Sequence, residues 1–209
     1  MASKIRTAFF DIGGVLGTNG WDREHRKEAS RIFGMDHAQY TRLHDENVPA
    51  FEEGLLTLDQ YLDRTVFVRP RNFTPDDFKR FMYTRSEPFP ESLAVVRELK
   101  QSGQTHMCIA SNESDELSRY RDRLFGLTEI FDTFLASCWI GVRKPAAIFY
   151  DRILAITEAR AEASVFVDDH EENLVAAQAL GFATIHFQSA EQLRRDLVAA
   201  GAELNIQPG

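Results

Sequence analysis

Four short stretches of this 209-residue chain carry side chains suited to an anion or a divalent cation. In Phe9-Phe10-Asp11-Ile12-Gly13-Gly14-Val15-Leu16 a carboxylate leaves an apolar run into a glycine turn. Its oxygens then project, and the nearby backbone N–H groups can approach an anion; the plainer role is an aspartate capping its own turn. Met107-Cys108-Ile109-Ala110-Ser111-Asn112 ends an apolar run in a hydroxyl and an amide, which suit a phosphate oxygen and equally an ordinary turn. Gly141-Val142-Arg143-Lys144-Pro145 sets an ammonium beside a proline that reads as the first residue of a helix. Free N–H groups there favour an anion; a solvated lysine is the alternative. Ser164-Val165-Phe166-Val167-Asp168-Asp169-His170 places two adjacent carboxylates at the end of an apolar run, where they repel unless a cation lies between them. Hard oxygen donors with few thiols or imidazoles nearby favour Mg2+, while acidic residues at a helix start also answer its dipole.

For these groups to act together, strand ends must bring them to one edge of a sheet, where parallel α/β sheets bind ligands. Runs 7–11, 105–110, 133–136, 164–167 and 183–187 are short and apolar and read as buried strands. Helical patterns separate the later ones, the alternation of a parallel α/β sheet. One helix is expected from Pro145, with Phe149, Ile153 and Ile156 along one face. A second, 171–180, stops at Gly181, and a third from Pro90 carries Leu93, Val96 and Leu99 and stops before Gly103. Residues 17–85 carry helix-start signals without strand alternation. Thr57-Leu58-Asp59-Gln60 is a capping box, Thr74-Pro75-Asp76-Asp77 is a second start, and helices are expected near 22–33 and 37–47. The pattern predicts an all-helical insertion after the first strand.

Composition narrows the function. Hydrophobic residues make up 44% of the chain, enough for one buried core with a modest appendage, and 27% are charged. The net charge of −8 is interspersed, with no basic face for nucleic acid. No run reaches the roughly 18 apolar residues of a membrane span, and no signal-type stretch opens the chain, so a cytoplasmic protein is expected. Cys108 and Cys138 have no metal-type partners and read as buried reduced thiols.

Taken in order, strand–Asp, strand–Ser, Lys-Pro and strand–Asp-Asp, the clusters resemble the four motifs of the haloacid dehalogenase superfamily. The insertion resembles that superfamily's first type of cap, so the resemblance spans the whole chain. It implies an α/β fold whose core, residues 1–17 and 86–209, holds a Rossmann-like parallel sheet in the order 5-4-1-2-3, with a helical cap at 18–85. It implies Asp11 as the nucleophile that forms an aspartyl-phosphate, and Lys144 as its neutralising partner. Ser111, Asn112, Gly13 and Gly14 are the implied phosphate ligands. Asp11, Asp168, Asp169 and the backbone carbonyl of Gly13 are the implied Mg2+ ligands. The expected activity is hydrolysis of a small phosphorylated metabolite by a monomer or homodimer, without nucleic acid or membrane. Phe-Asp-x-Gly at 10–13 and the run 51–57 further resemble a branch of sugar-1-phosphatase-like and epoxide-hydrolase N-terminal phosphatase-like proteins.

One residue departs from the pattern. Phosphatases of this superfamily mostly carry a second aspartate, the general acid and base, where this chain has Gly13. Such catalysis is worth about 10²–10⁴-fold. Three consequences are open: a substrate with a good leaving group, a proton from Glu113, His170 or a cap residue, or a protein that binds phosphate without turnover. A 2-haloacid dehalogenase is disfavoured, because those enzymes do without the acidic pair that Asp168 and Asp169 supply here. Trp21, Tyr40, Phe51 and Phe67 are candidates to line the cap, and an exposed Trp139 would mark a partner or cap contact. The run His44-Asp45-Glu46 reads as a solvated helix face.

Overall fold

The computed structural model describes residues 5–204. Strands β1 (Thr7–Phe10), β2 (His106–Ser111), β3 (Thr133–Ala136), β4 (Ser164–Asp168) and β5 (Ala183–His186) form one parallel sheet. Its order, β3-β2-β1-β4-β5, is the expected 5-4-1-2-3 read from the opposite edge. Helices α1 (Arg23–Ile32), α2 (His37–Glu52), α3 (Leu58–Thr65), α4 (Pro75–Tyr83) and α5 (Pro90–Gln101) lie between β1 and β2. Helix α6 (Asp115–Phe125) follows β2, α7 (Ser137–Ile140) and α8 (Ala147–Thr157) follow β3, α9 (Glu171–Ala179) follows β4 and α10 (Ala190–Ala199) follows β5.

Side chains alternate across the sheet, so each strand feeds two cores. Ala8 and Phe10 join Met107, Ile109, Val165 and Val167 beneath α5 and α10. Phe9, Cys108, Ala110 and Phe166 face the other way, onto α8 and α9. Both faces are covered, which is why these strands read as unbroken apolar runs.

Helix α8 opens later than expected. Ala146 N donates to Arg143 O (3.1 Å) around a cis Lys144–Pro145 bond, which closes a turn before the helix begins at Ala147. Phe149 and Ile153 are buried as expected, but Ile156 in the last turn is half exposed. Tyr150 takes the buried place, its ring against Phe166 and its hydroxyl donating to Asn173 O (2.7 Å).

Helices α1–α4 share their own aromatic core, in which Phe51 stacks on Tyr61 at 4.3 Å and Phe78 meets Phe33, Tyr40 and Trp21. Both expected capping boxes form, at Thr57 and Thr74. Leu117 of α6 belongs to this cluster, so the helical segment rests on the sheet's own helices. The two chains entering and leaving the segment are stitched together: Thr18 N donates to Glu87 O (2.9 Å) and Thr18 Oγ1 donates to Arg85 O (2.6 Å). Among the described residues no helix is long and apolar enough to cross a membrane.

Candidate active site

Where β1 ends, Asp11 is still held by the neighbouring strand, its N donating to Val167 O (3.0 Å). Its Oδ1 accepts from Ile12 N (2.8 Å), and the Ser111 hydroxyl at the end of β2 also bonds the carboxylate. Beyond it the chain turns at once. Leu16 N and Gly17 N both donate to Ile12 O, at 2.9 and 3.1 Å, and Gly14 takes φ +70°. A side chain at Gly14 would be strained, and its Cβ would run into the Asp169 carboxylate. A Cβ at Gly13 would come within 2.6 Å of Asn19 Oδ1, so an amide side chain fills the space beside the glycine.

Lys144 is 1% exposed, with Nζ 3.1 Å from Asp11 Oδ2 and 2.6 Å from Asp168 Oδ2. Stripping an ammonium of water costs several kcal/mol, and the two carboxylates are what offset it. Burial disfavours the charge, yet Asp11 and Asp168 outweigh it and hold the Lys144 pKa above the ordinary lysine value. The expectation that Lys144 sits directly before a helix start gives way to the turn described above. What fixes it instead is Asn112, whose Oδ1 accepts from Lys144 N (2.8 Å) while its Nδ2 donates to Lys144 O (3.0 Å). The Asn112 amide, expected to face phosphate, is engaged at both ends in holding this lysine.

Asp168 is fully buried, and both of its oxygens accept. Oδ1 receives His170 N and Asn173 Nδ2, each at 2.9 Å, and Oδ2 receives Lys144. Asp169 Oδ1 lies 2.8 Å from His170 Nδ1. Ligand atoms of Asp168, Asp169 and His170 fall within 4.8 Å of one another. Burial pushes the Asp11 carboxyl up, Lys144 pulls it down, and Asp168 and Asp169 push it up again, with the net direction upward. Two carboxylates, Asp11 and Asp168, thus share one ammonium, with Asp169 adding a third negative charge nearby, and a hard divalent cation fits that donor set and its excess negative charge. His170, at the start of α9, caps without a side-chain bond to the helix.

Over this floor lies a cleft of about 350 Å³, walled by the helical segment through Asn19, Trp21, His44, Phe51 and Glu52. Of the four aromatic candidates, Trp21 and Phe51 line it, while Tyr40 and Phe67 belong to the aromatic core. His44 is not solvated as expected: it is 7% exposed, with Nδ1 2.7 Å from the Tyr61 hydroxyl, and burial drives its pKa down to about 3. Within that run only Asp45 and Glu46 are exposed. Sequence reasoning gave Glu52 and Asn173 no role and named Glu113 only as a candidate acid. Glu52 Oε2 pairs with Arg143 (3.0 Å), Glu113 Oε2 pairs with the buried Arg121 (2.9 Å), and Asn173 orients Asp168. Asn173 had a signal, a polar residue one turn into the helix after the acidic pair; the two ion pairs are products of packing. Trp139 is 39% exposed, with Nε1 donating to Asp115 (2.6 Å) and Arg119 over its ring. Cys108 is buried, Cys138 partly so, and neither is in a disulfide.

Residues 5–181 match the family model described as haloacid dehalogenase-like hydrolase. The sesquiterpene phosphatase astK of Aspergillus oryzae is 27% identical over 189 residues, 89% of this chain and 91% of that protein. Bifunctional epoxide hydrolase 2 of Rattus norvegicus is 30% identical over 132 residues, 61% of this chain but only 24% of that longer protein. A HAD family enzyme from Bacteroides thetaiotaomicron, solved in complex with magnesium and inorganic phosphate, is 19% identical with a TM-score of 0.71. That alignment covers 87% of this chain and 93% of the other, a likeness of fold.

Proposed function

The chain belongs to the haloacid dehalogenase-like hydrolases, and from that premise we propose that it is a Mg2+-dependent phosphatase of small phosphate esters, acting through an aspartyl-phosphate on Asp11. The observation that carries this reading is the buried triad at the cleft floor, Lys144 Nζ at 3.1 Å from Asp11 and 2.6 Å from Asp168. A phosphatase named among its relatives supports it, as does a structural neighbour crystallised with magnesium and phosphate. Residues 18–85 act as the cap of a core formed by 1–17 and 86–209.

In this reading Asp11 Oδ attacks phosphorus in line with the departing oxygen. Lys144, Ser111 and the Gly13 N–H offset charge on the phosphoryl oxygens, whereas the Gly14 N–H, expected to do the same, is donated to Gly17 O (2.8 Å). Asp11, Asp168, Asp169 and the Gly13 carbonyl would hold Mg2+, which supplies further charge neutralisation there. Water then cleaves the acyl-phosphate bond and restores Asp11. The cap narrows the entrance to small esters, sugar phosphates among them, and keeps bulk water from the reacting group.

Phosphate release from a panel of sugar and aryl phosphates, with Mg2+ and with a chelator, tests the proposal. Release that stops on chelation is expected. No release from any ester would leave a phosphate-binding protein disarmed at Gly13, and metal-independent release would remove Mg2+ from the account.

A further inference from the structure

Resting on the phosphatase reading, the cleft shows where the acid missing at Gly13 has gone. The space beside Gly13 is filled by Asn19, whose amide has no proton to give at neutral pH. Of the other titratable groups lining the cleft, Glu172 is solvent-exposed in the first turn of α9, and the remainder are committed. Glu113 is locked to Arg121 and Asp22 caps α1. His44 is held neutral against Tyr61, and the His170 ring is turned onto Asp169. Glu52 differs. It closes α2, its side chain is 24% exposed, and one carboxyl oxygen meets Arg143; the other has no hydrogen-bond partner among the described residues.

Its position is built from both sides. The Ser137 hydroxyl at the start of α7 donates to Glu52 O (2.5 Å) and accepts from Glu113 N (3.0 Å), which ties the end of α2 to the loop after β2. Gly54, at φ +76°, lets the next turn press against the Cys138 carbonyl, where a Cβ would collide. The charged groups facing Glu52 are Arg143 and Lys144 from the loop before α8, Glu113 from the loop after β2 and Asp11 from the end of β1.

We propose that Glu52 protonates the departing oxygen and then deprotonates the attacking water, returning to the site from the helical segment the acid–base function that Gly13 cannot supply. In the first step the Asp11–phosphorus bond forms, the ester P–O bond breaks, and the Glu52 proton goes to the leaving oxygen, releasing an alcohol. In the second, water oxygen bonds to phosphorus, its proton passes to the Glu52 carboxylate, and the Asp11–phosphorus bond breaks, releasing phosphate. Burial pushes the Glu52 carboxyl up to about 7, with Arg143 pulling it down and Glu113 adding to the rise, so both forms are present near neutral pH.

The test uses the full chain with Mg2+, comparing wild type, Glu52→Gln, Glu52→Asp and Asp11→Asn on an alkyl phosphate and on 4-nitrophenyl phosphate. Compared by kcat/KM, which reports the first step and not the water attack common to both esters, Glu52→Gln is expected to slow the alkyl ester by about 10²–10⁴-fold and the nitrophenyl ester, whose leaving group needs little protonation, by no more than about tenfold. On one substrate, where substrate ionisation is common to all variants, wild-type kcat/KM should fall as pH rises through about 7. That limb should vanish in Glu52→Gln and persist in Glu52→Asp. Arg143→Met, which removes the opposing positive charge, should move the limb to higher pH. Equal slowing of both esters, no slowing, or an unaltered limb in Glu52→Gln overturns the proposal while leaving the Asp11 reading intact. A wild type that hydrolyses neither ester overturns both.

Discussion

Asp11, Ser111, Lys144 and Asp168 come from four separate segments and meet within hydrogen-bond reach, and each was legible as a polar side chain at the end of an apolar run or in the loop beyond one, suited to an anion or a cation. His44 was misread because its neighbours Asp45 and Glu46 are solvated, whereas the imidazole turns inward to Tyr61, a partner seventeen positions along the chain. Its burial has a measurable consequence. A folded-state pKa of about 3 lies below the ordinary 6.5, so the unfolded chain binds the extra proton first. Stability present above about pH 6.5 is therefore lost on acidification, by roughly 2 kcal/mol at pH 5. Thermal melts at pH 7 and pH 5 should show a larger drop for wild type than for His44→Asn; equal drops would mean that His44 titrates normally. Glu52 was invisible for a different reason. Nothing in a helix-terminal glutamate signals that Ser137 and Arg143 will fix it in the lining of the cleft, because those contacts exist only after the helical segment docks.

The elements were easier to read than the contacts between them. All five strands lie within a residue or so of the apolar runs, and the signal is cleanest in β1 and β4, which are buried along their whole length. Helix starts marked by Thr57 and Thr74 form as their capping chemistry requires. Pro145 misled for a physical reason: proline suits the first turn of a helix and a tight turn equally, and here Arg143 and Ala146 close the turn. The strand-to-turn transition after β1 makes the most exacting demand on sequence. Gly14 needs φ +70° and leaves room for Asp169 against its Cα. Gly14→Ala should cost about 1–2 kcal/mol in backbone strain and, by displacing Asp169, weaken Mg2+ binding at least about tenfold. Calorimetric titration of Mg2+ would check this. Undiminished affinity in a destabilised variant would mean that Asp169 takes no part in holding the metal.

At the scale of the molecule, the sheet presents the candidate reacting groups and the helical segment completes the cleft above them. The resemblance in motif order supplied the sheet order, since periodicity says which runs are strands but not which lie side by side. Arg121 of α6 helps hold the arrangement: it pairs with Glu113 beside the floor, donates to Thr18 O (3.0 Å) and reaches Ser86 Oγ (3.2 Å), so one buried cation spans both entry points of the segment. Such a tie favours a cleft whose roof is registered to its floor. In the proposed mechanism that coupling lets a carboxylate at the strand end and groups on the helices act on one ester. The most direct test of the account is steady-state phosphate release by the whole chain under Mg2+, wild type beside Asp11→Asn, with circular dichroism to check the fold. The account predicts a folded variant whose turnover falls by at least about 10⁴-fold. A folded Asp11→Asn protein that releases phosphate at the wild-type rate would contradict it.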